Sequence, residues 1–308
     1  MPGNKEWKGH IFLGDKNMKR TLTLIKQPSA ILTADWHLRE DTPICRTDNF
    51  EEAMWKKVKT ISNLQAAYDC IVLHAGDLFH HWKPSPSLLS KTIERLPAQF
   101  YTVYGQHDLP QHNFEMRDRS GIHTLEVAGA LTVLQGCHWG QIPKYPSDKY
   151  INQSILVWHK MTYGNREPYP GCLDPHANVL LRKYPQFDLI VTGDNHESFI
   201  VEYEGRLLVN PGSLTRQTAT QIDYKPKVYL WYAKDNTVEP YYLPIDEDVV
   251  SREHLDRTEE RDERIQAFVD RLDGEWDAGL TFEENLEKAI KANKIPEVVS
   301  EIIYKAIE

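Results

Sequence analysis

Five short apolar runs in this sequence each stop at acidic, histidine or glutamine residues, and this repeated pattern constrains the fold more than any other feature. In residues 189–198, LIVTGDNHES, an aliphatic run is followed by a glycine and then by Asp194 and His196. Runs of this kind, separated by longer helix-like segments, predict strands that alternate with helices. The residues that follow the other four runs are Asp35 and His37, then Asp77, His80 and His81, then Gln106, His107 and Asp108, and lastly His159.

The polar ends of the five predicted strands are expected to lie along one edge of the sheet. In open α/β sheets ligands bind outside the carboxyl ends of the strands, so five such ends predict a site. Carboxylate oxygens, imidazole nitrogens and amide oxygens are the groups that bind divalent ions at hydrolytic centres. Two ions about 3.5–4 Å apart also need a bridging carboxylate, and Asp77, which follows a glycine, suits that position.

The length and composition are those of a globular protein with ample core. The chain has 308 residues, of which 41% are hydrophobic and 26% charged, enough for one large domain with an appendage or for two domains. Residues 1–29 are too polar for a signal peptide and are predicted to be partly irregular, residues 30–245 hold the strands and helices, and residues 246–308 are charged and helical. No apolar stretch approaches the roughly 20 residues that span a bilayer, so a cytoplasmic protein without membrane segments is expected.

The negative charge of the chain is concentrated in its last part. The net charge is −9, and residues 246–308 hold 19 acidic and 9 basic residues, whereas residues 1–245 hold 26 acidic and 27 basic residues. A strongly basic surface for nucleic acid is therefore absent from the composition, which argues against tight non-specific DNA binding by this chain alone. A metal-dependent enzyme is not excluded, because bound divalent ions supply local positive charge.

Two further patterns predict secondary structure within the main domain. Residues 50–67 carry apolar side chains at helical spacing and are predicted to pack on the sheet. Residues 199–213 have the pattern of a hairpin, and residues 227–233 and 238–244 that of two further strands. These short alternating segments predict that the half of the domain after His196 is antiparallel.

The end of the chain carries an apolar stripe on a predicted helix. Thr281 and Glu284 fit a capping box for one helix, and Pro296 suits the first turn of the next. Two interpretations of the stripe remain open, since it can pack on its own domain or serve as a docking surface for a partner. The stripe consists of Val298, Val299, Ile302 and Ile303.

The order of the polar motifs resembles that of a known family. DxH, GDLFH, G(Q)HD, H and G(D)xH, over residues 30–215, are similar to the motifs of the calcineurin-like metallophosphoesterase superfamily. Within it, GDLFH and the helical extension most resemble the SbcD-like DNA repair nucleases. The resemblance implies an α/β fold, a four-layer αββα sandwich of mixed sheets, with a C-terminal helical extension.

The metal ligands that the resemblance implies form two sets sharing one carboxylate. The first set is Asp35, His37, Asp77 and His196. The second set is Asp77, Gln106, His159 and Asp194. Gln106 stands where the family usually has Asn, and Asp194 where it usually has His, so both departures fall on the second metal. The resulting harder and more negative ligand set favours Mn²⁺, or Mg²⁺, over softer ions, and the alternative is that Asp194 does not ligate and the second ion binds weakly.

The resemblance also implies roles in catalysis. His107 is expected to assist the leaving group, with Asp108 as its orienting carboxylate, and His80 is expected to contact the phosphate or the scissile nucleotide. The loop NPGS is expected to line the pocket and bind substrate through Asn210, Gly212 and Ser213.

The function that these motifs favour is a two-metal phosphodiesterase, an exonuclease or endonuclease acting on DNA. One alternative is a metallophosphoesterase for a small nucleotide or a phosphomonoester, which the near-neutral charge of the main domain favours. Another is a non-enzymatic scaffold with a degenerate metal site, suggested by Gln106 and Asp194. The resemblance further implies an SMC-like ATPase as a partner of residues 246–308, and a homodimer is a further alternative.

Overall fold

A computed structural model of the chain describes residues 26–135, 137–142, 154–167, 171–275 and 281–307. Residues 1–25, most of the predicted N-terminal segment, therefore lie outside the described residues. The described strands are β1 (Ala30–Thr33), β2 (Ile71–His74), β3 (Phe100–Thr102), β4 (Thr132–Val133), β5 (Ile155–Trp158), β6 (Leu189–Thr192), β7 (Phe199–Tyr203), β8 (Arg206–Asn210), β9 (Lys227–Tyr232) and β10 (Thr237–Tyr242). The described α-helices are α1 (Phe50–Tyr68), α2 (Pro86–Arg95), α3 (Gly121–Val127), α4 (Ala177–Lys183), α5 (Glu253–Glu275), α6 (Phe282–Ala292) and α7 (Glu297–Ile307).

The strands form two mixed sheets. The larger has the order β10-β9-β1-β2-β3-β4, in which β1 to β4 are parallel and β9 and β10 are added antiparallel at one side. The smaller has the order β5-β6-β8-β7, in which only β7 is antiparallel to its neighbour. The predicted hairpin and the two further strands are confirmed, because β7 pairs antiparallel with β8 and β9 pairs antiparallel with β10. They do not form an antiparallel half of their own, because β9 and β10 extend the first sheet and β8 pairs in parallel with β6. Side-chain alternation along a strand does not specify which strand lies beside it.

The two sheets pack face to face through small and aliphatic side chains. Alternate residues of a strand point to opposite faces, and β1 illustrates this, with Leu32 buried between the sheets and Ile31 buried under the helices. From the second sheet, Val157, Val191 and Val209 join Leu32 in the same cluster. The five strands that carry the predicted polar ends have buried residues on both faces, which fixes where their carboxyl ends lie.

Helices cover both outer faces, which gives four layers. Asn49 caps the start of helix α1, because its side chain accepts the backbone N–H of Glu52. The helix packs its buried Met54, Val58 and Ile61 against the larger sheet, as predicted for residues 50–67. Helices α2 and α3 share this face, and α4 covers the smaller sheet. The predicted αββα sandwich is confirmed.

The C-terminal extension is helical in its described part, as predicted. Thr281 and Glu284 form the reciprocal capping box at the start of α6. In the apolar stripe, Ile303 packs against a small cluster around Leu286, whereas the other three side chains remain exposed. Packing on its own domain thus accounts for only part of the stripe. Within the described residues, no helix has the length and apolar character needed to cross a membrane.

The residues that lead into the extension are tied to the main domain. The backbone N–H of Thr47 donates to the carbonyl of Val249 at 3.1 Å, and that of Ser251 donates to the carbonyl of Cys45 at 2.7 Å. The buried guanidinium of Arg216 donates to the carbonyl of Asp246 at 2.6 Å. Residues 246–251 therefore belong to the packed structure of the domain before α5 departs from it.

Two truncated chains test this attachment. A chain that ends at residue 252 keeps the paired segment and should melt close to the temperature of the full chain. A chain that ends at residue 245 loses the three hydrogen bonds above, at roughly 1 kcal/mol each, and its melting temperature should fall by roughly 6–12 °C. Scanning calorimetry of both chains measures the difference, and equal melting temperatures would contradict it.

Candidate metal centre

The predicted site residues lie on loops that are held together by backbone hydrogen bonds. The N–H of Asp35 donates to the carbonyl of Gly76 at 3.0 Å, and the N–H of His37 donates to the carbonyl of Asp77 at 3.0 Å, so the first two loops run side by side. Asp35, His37, Asp77 and Asp194 all have positive φ, between 44° and 76°, a region that residues other than glycine rarely adopt. Strain of this kind persists where the surrounding structure enforces it, and it is common at functional sites.

Glycines next to these residues allow the loops to approach closely. Gly76 has φ of 91°, and a Cβ atom there would lie 2.5 Å from Nδ1 of His159. A Cβ atom on Gly105 would lie 2.0 Å from Oδ1 of Asp77. Side chains at these positions would push apart the groups that form the site, which explains why glycine precedes the polar residues in the sequence.

One cluster of possible ligand atoms consists of Asp35, His37 and His196. These side chains are buried or nearly so, and their ligand atoms lie within 4.8 Å of one another. The Nε2 atoms of His37 and His196 are 3.1 Å apart. The cluster contains three of the four residues predicted for the first metal.

A second cluster consists of Asp35, Asp77 and His159, again within 4.8 Å. Nδ1 of His159 lies 2.6 Å from the carbonyl oxygen of Ala75 and carries the hydrogen of that contact, so Nε2 faces the site. Nε2 lies 2.6 Å from Oε1 of Gln106, and Nε2 of Gln106 donates to Oδ1 of Asp194 at 2.6 Å. The four residues predicted for the second metal therefore lie in one connected group.

Asp77 stands between the two clusters. Its side chain is buried, Oδ1 accepts the backbone N–H of His107 at 2.9 Å, and Oδ2 accepts no hydrogen bond from the described residues. Oδ2 lies 3.7 Å from Nε2 of His37 and 3.5 Å from Nε2 of His159. A buried carboxylate oxygen without a partner is costly, and a divalent ion on each side would satisfy it. The residues present thus fit a pair of ions.

The charges of the cluster are strongly coupled. Burial alone would raise the pKa of Asp77, but the imidazoles of His159 and His37 hold it well below its usual value. Burial opposes a charge on His159, yet Asp77 and Asp35 raise the pKa of this imidazole to about 10. Burial lowers the pKa of His37 well below its usual value. A divalent ion bound here requires a neutral His159, so it would replace the proton that otherwise balances the charge of Asp77.

His80 and His107 lie beside the first cluster. Ring nitrogens of His37, His80 and His107 lie within 4.8 Å of one another, and the rings of His80 and His107 are stacked with centroids 5.6 Å apart. Nδ1 of His107 donates to the carbonyl oxygen of His80 at 3.0 Å, which leaves Nε2 free to face the site. Burial, followed by the charge of Arg39, lowers the pKa of His80 to about 4.

Asp108 does not orient His107, which corrects the predicted role. Its buried carboxylate accepts the backbone N–H groups of Phe79 and Gly105, both at 3.0 Å, and that of Leu78 at 3.3 Å. Asp108 therefore joins the second motif loop to the third. It is the carbonyl of His80 that holds the ring of His107.

The side chains of the NPGS loop are buried and bonded within the protein, which corrects a role of Asn210 and Ser213 in binding substrate through their side chains; the lining of the pocket by the loop backbone stays a prediction. Nδ2 of the buried Asn210 donates to the carbonyls of Asn195 and Glu197, at 2.5 and 2.7 Å. The hydroxyl of the buried Ser213 donates to the carbonyl of Thr215 and accepts from the side chain of a neighbouring glutamine. A Cβ atom on Gly212 would meet the hydroxyl of Tyr224 at 2.5 Å, so this glycine is required for close packing.

Two supporting residues were not predicted from the sequence. The carbonyl of Ala75 orients His159, and a backbone atom leaves no trace in residue type. Asn195, between Asp194 and His196, is buried and donates through Nδ2 to the carbonyl of Thr162. In the sequence, its position between two predicted ligands is the feature that could have indicated a supporting role.

The fold and the site together define a class of protein, a metal-dependent phosphoesterase built as an αββα sandwich. The sequence model of the calcineurin-like phosphoesterase superfamily domain matches residues 30–226, well over half of the chain. The chain belongs to the calcineurin-like phosphoesterase superfamily, and the resemblance noted in its motifs is confirmed. Membership implies a phosphoester hydrolase that uses divalent metal ions, for which the Asp and His clusters above are candidates.

Curated relatives include two repair proteins. The chain is 24% identical over 215 residues to the DNA double-strand break repair protein Mre11 of Archaeoglobus fulgidus, which covers 56% of this chain and 46% of that protein. It is 24% identical over 298 residues to the double-strand break repair protein MRE11 of Oryza sativa subsp. indica, which covers 70% of this chain and 42% of that protein. The chain thus spans less than half the length of these relatives.

Solved structures that match the chain are more distant in sequence. An archaeal phosphodiesterase is 15% identical with a TM-score of 0.40, over 70% of this chain and 99% of that one. Vacuolar protein sorting 29 of Cryptosporidium parvum is 16% identical with a TM-score of 0.33, over 71% of this chain and 97% of that one. A likeness of this size carries no argument about function.

Proposed function

We propose that this chain is a two-metal phosphodiesterase that cleaves DNA, with Mn²⁺ as the preferred ion and Mg²⁺ as a substitute. The observation that carries the proposal is the buried Oδ2 of Asp77, which has no hydrogen-bond partner among the described residues and lies between two groups of ligand atoms. A single ion could satisfy one group, but a shared carboxylate between two groups suits a pair.

The proposed ligands follow the two groups. The first ion would be held by Asp35, His37, Asp77 and His196. The second would be held by Asp77, Gln106, His159 and Asp194. When bound, two such ions neutralise the negative charge that develops on the phosphate and provide an activated water. Oxygen and imidazole ligands of this kind suit Mn²⁺ and Mg²⁺ better than soft thiophilic ions.

The residues of the chain that would act on the substrate are His107 and His80. His107 is held at Nδ1 by the carbonyl of His80, so its Nε2 can give a proton to the departing oxygen as a general acid. His80 lies against it with a pKa of about 4, so this ring is neutral near pH 7 and can contact the phosphate through a hydrogen bond. Asp108 fixes the loops that carry both histidines.

DNA is proposed as the substrate because of the GDLFH motif and because the curated relatives are DNA repair proteins by name. The proposal covers both an exonuclease and an endonuclease. The near-neutral charge of residues 1–245 favours a small nucleotide or phosphomonoester as the rival substrate. The third possibility, a scaffold that catalyses nothing, is weakened by the retention of His107 and of both histidines in the first cluster.

The same proposal includes a partner for the C-terminal extension and a location in the cell. The exposed Val298, Val299 and Ile302, on an extension with a net charge of −10, are proposed to dock an SMC-like ATPase, with a homodimer as the alternative. A nuclease of this type would act inside the cell, and we propose the cytoplasm.

Metal-dependent cleavage of DNA is the first consequence to test. The chain is incubated with Mn²⁺, with Mg²⁺ or with EDTA, against single-stranded DNA, duplex DNA and a chromogenic diester. We expect Mn²⁺ to support cleavage of DNA and EDTA to abolish it. Cleavage of the chromogenic diester alone would favour the small-substrate enzyme, and no hydrolysis of any substrate by a metal-loaded chain would favour the scaffold.

His107→Ala is expected to lower the rate by roughly 100-fold or more, the usual effect of removing a general acid. Because His107 is proposed to act on the leaving group, the variant should still bind the same number of Mn²⁺ ions, measured by elemental analysis. His123→Ala, on α3 and paired with Glu126, is the matched control and should keep the native rate. Loss of metal from the His107 variant would show that this residue is a ligand instead.

A further inference from the structure

The side chain of Gln106 is held between two groups of the second cluster. Its Nε2 donates to Oδ1 of Asp194, and its Oε1 lies against Nε2 of His159, both at 2.6 Å. The reverse orientation of the amide would put two oxygens 2.6 Å apart at Asp194, which is repulsive. The carboxylate of Asp194 therefore selects the orientation in which the amide oxygen, and not the nitrogen, faces the imidazole.

The two neighbours of Gln106 are themselves held by hydrogen bonds. The N–H of Asp194 donates to both carboxylate oxygens of Asp35, at 3.0 and 3.1 Å, and its φ is 76°. Nδ1 of His159 is held by the carbonyl of Ala75 at 2.6 Å. The amide thus lies between two groups that are each held by a hydrogen bond, and its length matters. An asparagine, shorter by one bond of about 1.5 Å, would not reach both at hydrogen-bond distance.

We propose that Gln106 and Asp194 act as one unit, in which Asp194 is the positioning residue that turns the amide oxygen of Gln106 towards the second metal ion. This inference rests on the proposed two-metal site. It concerns these two residues of the chain and holds whether or not Asp194 also binds the ion through Oδ2. The unit provides a hard oxygen ligand whose direction depends on a charged hydrogen bond, which is among the stronger kinds.

Removal of either side chain tests the unit through metal binding. Asp194→Gly is the suitable deletion, because glycine adopts a φ of 76° without strain whereas alanine does not. Gln106→Ala and the double variant complete a double-mutant cycle. Calorimetric titration with Mn²⁺ gives the affinity of each ion, and elemental analysis gives their number. Each single variant should bind the second ion about tenfold more weakly or worse, as expected for loss of a charged hydrogen bond, and the double variant should be no weaker than the weaker single one.

A second readout needs no metal. In nitrogen-labelled native protein, the side-chain amide hydrogens of Gln106 should exchange slowly with solvent, and Asp194→Gly should abolish this protection. Asp194→Asn keeps the shape and tolerates the backbone conformation, so it gives the same test if the glycine variant fails to fold; it should weaken the second ion less than Asp194→Gly does. Glu197→Gln, which removes a nearby carboxylate charge, is the control and should leave both readouts unchanged.

Three results would overturn the inference. If the losses in the two single variants multiply in the double variant, Asp194 and Gln106 are independent ligands. If neither Asp194→Gly nor Asp194→Asn changes the affinity of the second ion or the amide protection, Asp194 does not position Gln106. If the native chain binds only one Mn²⁺ ion, there is no second ion to position a ligand for. A native chain that binds two ions but cleaves no DNA would refute the proposed substrate. The double-mutant cycle would still test the coupling of Gln106 and Asp194, because it measures metal affinity.

Discussion

The buried carboxylate of Asp77 is the group on which the rest of the site depends. It has little access to solvent, one of its oxygens accepts a backbone N–H, and the other accepts no hydrogen bond from the described residues. Burying such a group is unfavourable unless positive charge compensates it, and here the compensation comes from the imidazole of His159, whose pKa is raised by the carboxylates beside it. The arrangement makes sense as a site for divalent ions, because ions would supply the charge that the protein itself provides only through a protonated His159.

The fold provides this site by bringing the carboxyl ends of strands from both sheets to one rim. Strands β1, β2 and β3 carry the first three motifs, and β5 and β6 carry the last two across the interface between the sheets. Glycines at the strand ends remove the side chains that would separate the loops, and Asp108 ties two of the loops together. The positive φ angles and the buried charges of the site are unfavourable, and the packing of the two-sheet core around the site stabilises them.

Much of this arrangement could be predicted from the sequence, and the failures have a common cause. Apolar runs that end in Asp and His predicted the strands and their shared rim, because strand burial and strand ends are local properties. The role of Asp108 was wrong, since neighbours in sequence do not report where a side chain points. The inward direction of the Asn210 and Ser213 side chains was missed for the same reason. The sheet that β9 and β10 join was missed because the pairing of strands is decided by distant residues. The connection between Gln106 and Asp194, 88 residues apart, was visible only once the chain was folded.

A crystal structure of the chain soaked with Mn²⁺, with anomalous scattering recorded at the manganese absorption edge, tests the central claim most directly. Two anomalous peaks about 3.5–4 Å apart, on either side of the Asp77 carboxylate, are the expected result. One peak beside Asp35, His37 and His196 with none beside His159, or peaks that do not contact Asp77, would contradict the account.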